Sequence, residues 1–180
     1  MMMSDKSPLS CAITGHRPSR FKFKYNEHYK LCIKIKKALM SQMQDHYEKG
    51  VRHFWVGGAI GVDTWAAEIL LDLKQQEPYK DIELYVAIPF PDYDAKFDAK
   101  QKARCRDILK GCTGSVIVSP NYAPDAYKKR NYYMVDRADY LIAIYDNQKE
   151  IRSGTGMTVH YAQKKGLPVR FINPDTAKIN

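Results

Sequence analysis

With 180 residues, 44% of them hydrophobic, the chain is long enough to bury one real core, and no apolar run approaches the ~20 residues that span a bilayer. Its first ten residues are polar and lack the apolar segment of a signal peptide, so a soluble cytoplasmic protein is expected. The net charge of +9 admits nucleic acid or a small phosphorylated ligand as partner, and equally a solvated face, which is how the Lys34–Lys37 group reads.

Four cysteines, Cys11, Cys32, Cys105 and Cys112, form no C-x-x-C pair and have no histidines at ligand spacing. This speaks against structural zinc; no metal site and no required cofactor are expected.

Residues 1–9 read as a loose leader. Ser10–Thr14 is a short, buried first strand that runs into Gly15-His16-Arg17-Pro18. The glycine permits a sharp turn. Arg17 offers a planar fork suited to phosphate or carboxylate, and His16 a general acid or base or a ligand contact. Both residues could instead only cap the turn.

Asn26–Lys49 has apolar residues at threes and fours, which predicts a long helix with Asn26 as N-cap and Gly50 as its stop. A second strand, His53–Val56, leads into Gly57, Gly58, Gly61 and Asp63, and then into a helix reaching about Gln76. A strand, a glycine turn and a helix start can cradle an anion with backbone N–H groups. The pattern is neither a Walker loop nor G-x-G-x-x-G, and a tight turn with purely geometric glycines explains it as well. Asp63 could face a ribose or complement its helix dipole.

Ile82–Ile88 reads as a third strand stopped by Pro89-Phe90-Pro91. A polar helix over Asp94–Leu109 and a fourth strand, Ser115–Ser119, follow. Ala126–Arg137 is a basic, aromatic helix in which Arg130 and Asn131 offer a phosphate clamp or a solvated face. Tyr140–Tyr145 is a fifth strand, and Asp146 after it is a ribose acceptor or a turn residue. Gly154-Thr155-Gly156 opens a helix over Met157–Lys165, and Pro168–Ile172 is the last strand.

Alternating strands and helices predict an α/β fold: one Rossmann-like domain over residues 10–173, an open, doubly wound, mostly parallel sheet with helices on both faces. Residues 174–180 read as a polar tail. In such a sheet the strand ends share one rim. The candidate ligand-binding set there is Thr14, Gly15, His16, Arg17, Gly57, Gly58, Gly61, Asp63, Pro89, Phe90, Arg130, Asn131, Gly154 and Thr155. The catalytic candidates are Glu68, Asp63 and His16.

In order along the chain, Thr14-Gly15-His16-Arg17-Pro18, Gly57 through Glu68, Pro89-Phe90, Arg130-Asn131 with Met134-Val135-Asp136, Tyr145-Asp146 and Ser153-Gly154-Thr155 resemble the YpsA-like family of bacterial proteins of unknown function. That family falls within the wider Smf/DprA and lonely-guy superfamily, and the resemblance covers about Ser10 to Ile172. It implies a Rossmann-like sheet that binds a nucleotide or nucleotide derivative, such as an ADP-ribose-like molecule, as a sensor or regulator, with a homodimer by analogy. It leaves two alternatives: a nucleoside 5'-monophosphate glycosidase, and single-stranded DNA binding. The lonely-guy enzymes carry Gly-Gly-x-Gly-Thr-x-x-Glu with a catalytic glutamate. Here Ser153 stands in place of a glycine and Thr158 in place of that glutamate, which weakens the hydrolase reading.

Overall fold

The computed structural model describes residues 8–180. Most of the expected leader lies outside them, and Leu9 already opens the first strand. The elements are β1 (Leu9–Gly15), α1 (Lys30–Glu48), β2 (Val51–Val56), α2 (Val62–Lys74), β3 (Glu83–Ile88), α3 (Ala99–Gly111), β4 (Gly114–Ile117), α4 (Ala126–Asp136), β5 (Tyr140–Ile144), α5 (Gly154–Lys164) and β6 (Val169–Ile172). The six strands form one all-parallel sheet in the order β4-β3-β2-β1-β5-β6. The α/β, Rossmann-like architecture is as expected.

Both faces of this sheet are covered, so β5 and the middle of β1 are apolar on both sides and do not alternate with polar residues. Ile13, Ile142 and Ile144 face a core built with Ile35, Leu39, Trp65 and Leu70 of α1 and α2 and Ile108 of α3. Their sequence neighbours Ala12, Leu141 and Ala143 face a second core with Met134 and Val135 of α4 and Val159 and Ala162 of α5. The period of two sends adjacent residues to opposite faces.

Two helices begin later than their apolar periodicity predicts. Asn26 does not cap α1: its side chain accepts from the His28 N–H at 3.1 Å in a local turn, and α1 starts at Lys30. Asp94 does not open α3 either. The cap is Asp98, whose Oδ1 accepts from the Gln101 N–H at 2.8 Å. In contrast, α5 begins earlier, at Gly154, because the Ser153 hydroxyl accepts from the Gly156 N–H at 3.0 Å. Residues 174–180 form the C-terminal segment beyond β6. They turn back so that Ile179 bridges Ile172, and Phe171 and Asn180 exchange both backbone hydrogen bonds at the β6 edge.

Candidate functional site

β1 lies between β2 and β5, and there the connections diverge: the chain leaves β1 for the α1 face and leaves β5 for the α5 face. The pairing continues one residue past the strand, with the His16 N–H donating to the Ile144 carbonyl at 3.2 Å. Beyond it, the Tyr145 N–H turns to the Ile172 carbonyl of β6 at 3.1 Å, and a crevice opens. This is the switch point at which open α/β sheets hold ligands. The crevice is a cleft of about 350 Å³.

Of the sequence-predicted ligand residues, the cleft brings together Thr14, Gly15, His16, Arg17, Asp63, Arg130, Asn131, Gly154 and Thr155. The remaining ones sit elsewhere. A Cβ on Gly57 would lie 2.6 Å from Arg130 Nη1 and 2.8 Å from Asp63 Oδ2, so only glycine leaves room there for the guanidinium and the carboxylate to approach the backbone together. Gly61, at φ +94°, has room for no side chain because Pro18 is 2.9 Å from its Cβ position; Gly58, also at positive φ, packs on Tyr93. These glycines serve packing and turn geometry, and the cleft-lining backbone of that turn comes from Ala59, Ile60, Val62 and Asp63. Pro89 is bound through its carbonyl to the Ser119 N–H. Phe90 packs edge-on against Tyr122 and Tyr127, behind the cleft wall.

Glu68 does not line the cleft. Facing α3 from α2, it pairs with Arg104 at 2.5 Å, and Arg104 also holds Glu27 at 2.6 Å. Its spacing of five residues beyond Asp63 turns it away from the rim. Thr158, in the position of the lonely-guy glutamate, is buried, and its hydroxyl donates to the Gly154 carbonyl at 2.8 Å.

The two candidate arginines are in opposite states. Arg130 is 5% exposed, and its Nη1 donates to the carbonyls of Gly57 and Ala87 while Nε donates to Asn131 Oδ1 at 2.8 Å. Asp63 lies across Gly57 from it and accepts from the Ala59 N–H at 3.1 Å. Burial pushes the Asp63 carboxyl up and the Arg130 guanidinium down, and the opposite charge of each works against that shift in the other. Arg130 is therefore a buried strut between β2, β3 and α4. Arg17, in contrast, is exposed, lies 5.3 Å from the Tyr127 ring centroid, and has no ion pair or side-chain hydrogen bond among the described residues.

On the opposite wall, Asp146 is gripped by Arg20 at 2.5 Å and accepts from the Gln148 N–H at 3.2 Å. Burial works to raise its carboxyl, but Arg20 and the backbone donor hold it below the ordinary range. Arg20 also reaches Asp175 at 3.2 Å, which ties the C-terminal residues to the cleft wall. His16 Nε2 lies 3.7 Å from Asp146 Oδ1, and it is buried with no hydrogen-bond partner. Burial outweighs the nearby carboxylate and lowers the His16 pKa, so the ring is neutral at pH 7. An orphaned buried polar atom costs about 1–3 kcal/mol.

The donors left over face the cleft. The N–H groups of Gly154 and Thr155 at the start of α5 meet no acceptor among the described residues, and neither do the Thr14 and Thr155 hydroxyls or the Asn131 amide nitrogen. Sequence reasoning missed Arg20, Tyr127 and Gln148, and had Tyr145 only as part of the family motif. None has a local signature, and each reaches the cleft only through the sheet order or the turn after β5.

Residues 11–177 match the family model described as the YspA SLOG family. The chain is 27% identical over 172 residues to the UPF0398 protein YpsA of Bacillus subtilis, covering 93% of this chain and 94% of that protein. It is 30% identical over 166 residues to the UPF0398 protein BH1768 of Halalkalibacterium halodurans, covering 90% and 86%. Among solved structures it is similar in fold to DNA processing protein A of Helicobacter pylori, with a TM-score of 0.58 and 19% identity. That match covers 92% of this chain and spans 65% of the other. It is also similar in fold to TM1055, a structural genomics target, with a TM-score of 0.55 and 12% identity over 89% of this chain and 72% of that one.

Proposed function

This chain belongs to the YspA SLOG family, and on that premise we propose that its rim cleft binds a nucleotide or nucleotide-derived, phosphate-bearing small molecule and acts as a sensor or regulator. One observation carries the reading: Arg17, with no ion pair among the described residues, lines the same cleft of about 350 Å³ at the β1/β5 switch point as the open amides of the α5 start. Cation and helix start together supply charge and directed N–H donors for phosphate. The buried His16 Nε2 beside Asp146 then suits a sugar hydroxyl, which donates to the Asp146 carboxylate and accepts from the Nε2–H tautomer of the ring.

No reaction is part of this reading. The two cleft carboxylates are both engaged, Asp63 beneath Arg130 and Asp146 by Arg20, and Glu68 is turned toward Arg104. A glycosidase needs a carboxylate free to stabilise an oxocarbenium-like centre or to activate water.

A second reading draws on the fold shared with Helicobacter pylori DNA processing protein A, whose structure was determined for its single-stranded DNA binding mode, and on the net charge of +9. It predicts affinity that falls steeply with salt as counterions are released.

A thermal-shift panel of nucleotides, nucleotide sugars and short single-stranded DNA separates these readings, since a ligand of the folded state raises the melting point. The expected result is stabilisation by a phosphate-bearing nucleotide derivative, with the compound recovered intact by mass spectrometry. Stabilisation by DNA alone, abolished by salt, would overturn the first reading in favour of the second. Released ribose phosphate would replace the sensor by the hydrolase.

A further inference from the structure

Beside the rim cleft lies a second concavity of about 110 Å³, lined by Tyr25, Tyr93, Phe97 and Tyr127 together with Arg17, Ala59, Ile60 and Arg130. Arg17, Ala59, Ile60, Tyr127 and Arg130 line both spaces, so the two are compartments of one depression divided by the Ala59-Ile60 turn and the Tyr127 ring. Their chemistry differs. The main cleft holds histidine, carboxylates and open backbone amides. The side compartment has four aromatic rings and no carboxylate among its lining residues.

The aromatic wall is held from behind. Tyr93 and Phe97 meet edge-on at 5.7 Å, and Tyr127 is braced by Phe90 at 5.7 Å. Tyr25 stands 68% exposed, far more than a ring with a structural task in the core. Arg17 lies at the shared boundary, with its guanidinium 5.3 Å from the Tyr127 centroid. A planar, uncharged ring entering this space stacks on aromatic faces and on a guanidinium, while a phosphate attached to it through a sugar reaches the donors of the main cleft.

We propose that this side compartment is the nucleobase subsite of the cleft, so that the ligand is a base-bearing nucleotide and not a simple sugar phosphate. The proposal rests on the phosphate-binding reading above. It also sets the selectivity. Stacking accepts any flat ring, so purines and pyrimidines both fit.

The test is calorimetric titration of the full chain with ribose 5-phosphate, AMP and UMP, using wild type, Tyr25→Ala and Phe97→Ala. Each variant is first shown to melt with wild type. Stacking of one base is expected to make AMP and UMP bind about tenfold or more tighter than ribose 5-phosphate. Tyr25→Ala and Phe97→Ala should shrink that gain severalfold while leaving the ribose 5-phosphate affinity unchanged. If ribose 5-phosphate binds and the base adds nothing, or if both variants weaken all three probes equally, the base subsite is overturned while the phosphate cleft stands. If none of the three binds, the cleft reading fails for this ligand class and the subsite fails with it.

Discussion

The Arg130 guanidinium is bonded to the carbonyls of Gly57 and Ala87 and faces Asp63 across Gly57, whereas Arg17 has only the Tyr127 ring beneath it. This difference in surroundings decides what each substitution does. Arg130→Ala strips the Gly57 and Ala87 carbonyls of their buried donor and Asp63 of its nearby countercharge, and should cost about 3–5 kcal/mol in urea unfolding. Arg17→Ala removes an exposed side chain and should stay within about 0.5 kcal/mol of wild type. Equal costs would show that the buried Arg130 contacts do not brace the fold. His16 adds a pH signature. Its pKa is lowered by burial, so below its ordinary value near 6.5 the unfolded chain binds more protons than the folded one. Its contribution to stability is therefore present above that pH and lost as pH falls through it. The residue types at the rim were legible in the sequence; their roles were less so. Arg17 and Arg130 read alike there, because only the sheet order brings Gly57 and Ala87 to one and leaves the other facing the cleft.

Among the elements, α5 and the α1–α3 side carry the clearest tests. Ser153 caps α5 at the cleft wall through its hydroxyl, and Gly154 next to it has nothing within 4 Å of its Cβ position. Ser153→Ala should lose about 1 kcal/mol, whereas Gly154→Ala should melt with wild type. Reversed outcomes would mean that the turn, not the cap, starts the helix. Glu27 lies before α1 and joins Lys36 to Arg104 of α3, with distances of 2.8 and 2.6 Å. Burial works to raise its carboxyl, but these two cations hold it at about 2. A carboxyl depressed in the folded state contributes stability above its unfolded pKa and loses it as pH falls through the folded one. Allowing for partial exposure, acid titration from pH 4.5 to 2 should remove on the order of 2 kcal/mol, and Glu27→Gln should flatten that slope. Apolar runs made the strands legible to within about two residues at each end. Helix starts were less legible because Asn26 and Asp94 carry the same capping chemistry as the residues that open helices, and only the closed hydrogen bonds of Asp98 and Ser153 distinguish them. Glu68 likewise looked free until α3 brought Arg104 to it from 36 positions away.

For the whole molecule, one all-parallel sheet with its switch point between β1 and β5 gathers residues from Thr14 to Thr155 into one cleft, and Asp175 anchors its wall through Arg20. Alternating elements announced that architecture, and the family match over residues 11–177 agrees with it. The ligand was not legible, because the donors that would select it are backbone amides and aromatic faces, whose directions no sequence prints. The most direct test of the central claim is isothermal titration of wild type and Arg17→Ala with the phosphate-bearing nucleotide derivative that most stabilises the fold. A charge-assisted contact to phosphate predicts at least about a tenfold loss of affinity in the variant, at an unchanged melting point. Equal affinities in the two proteins would mean that the phosphate does not lie in this cleft, and the account of Arg17 would be wrong.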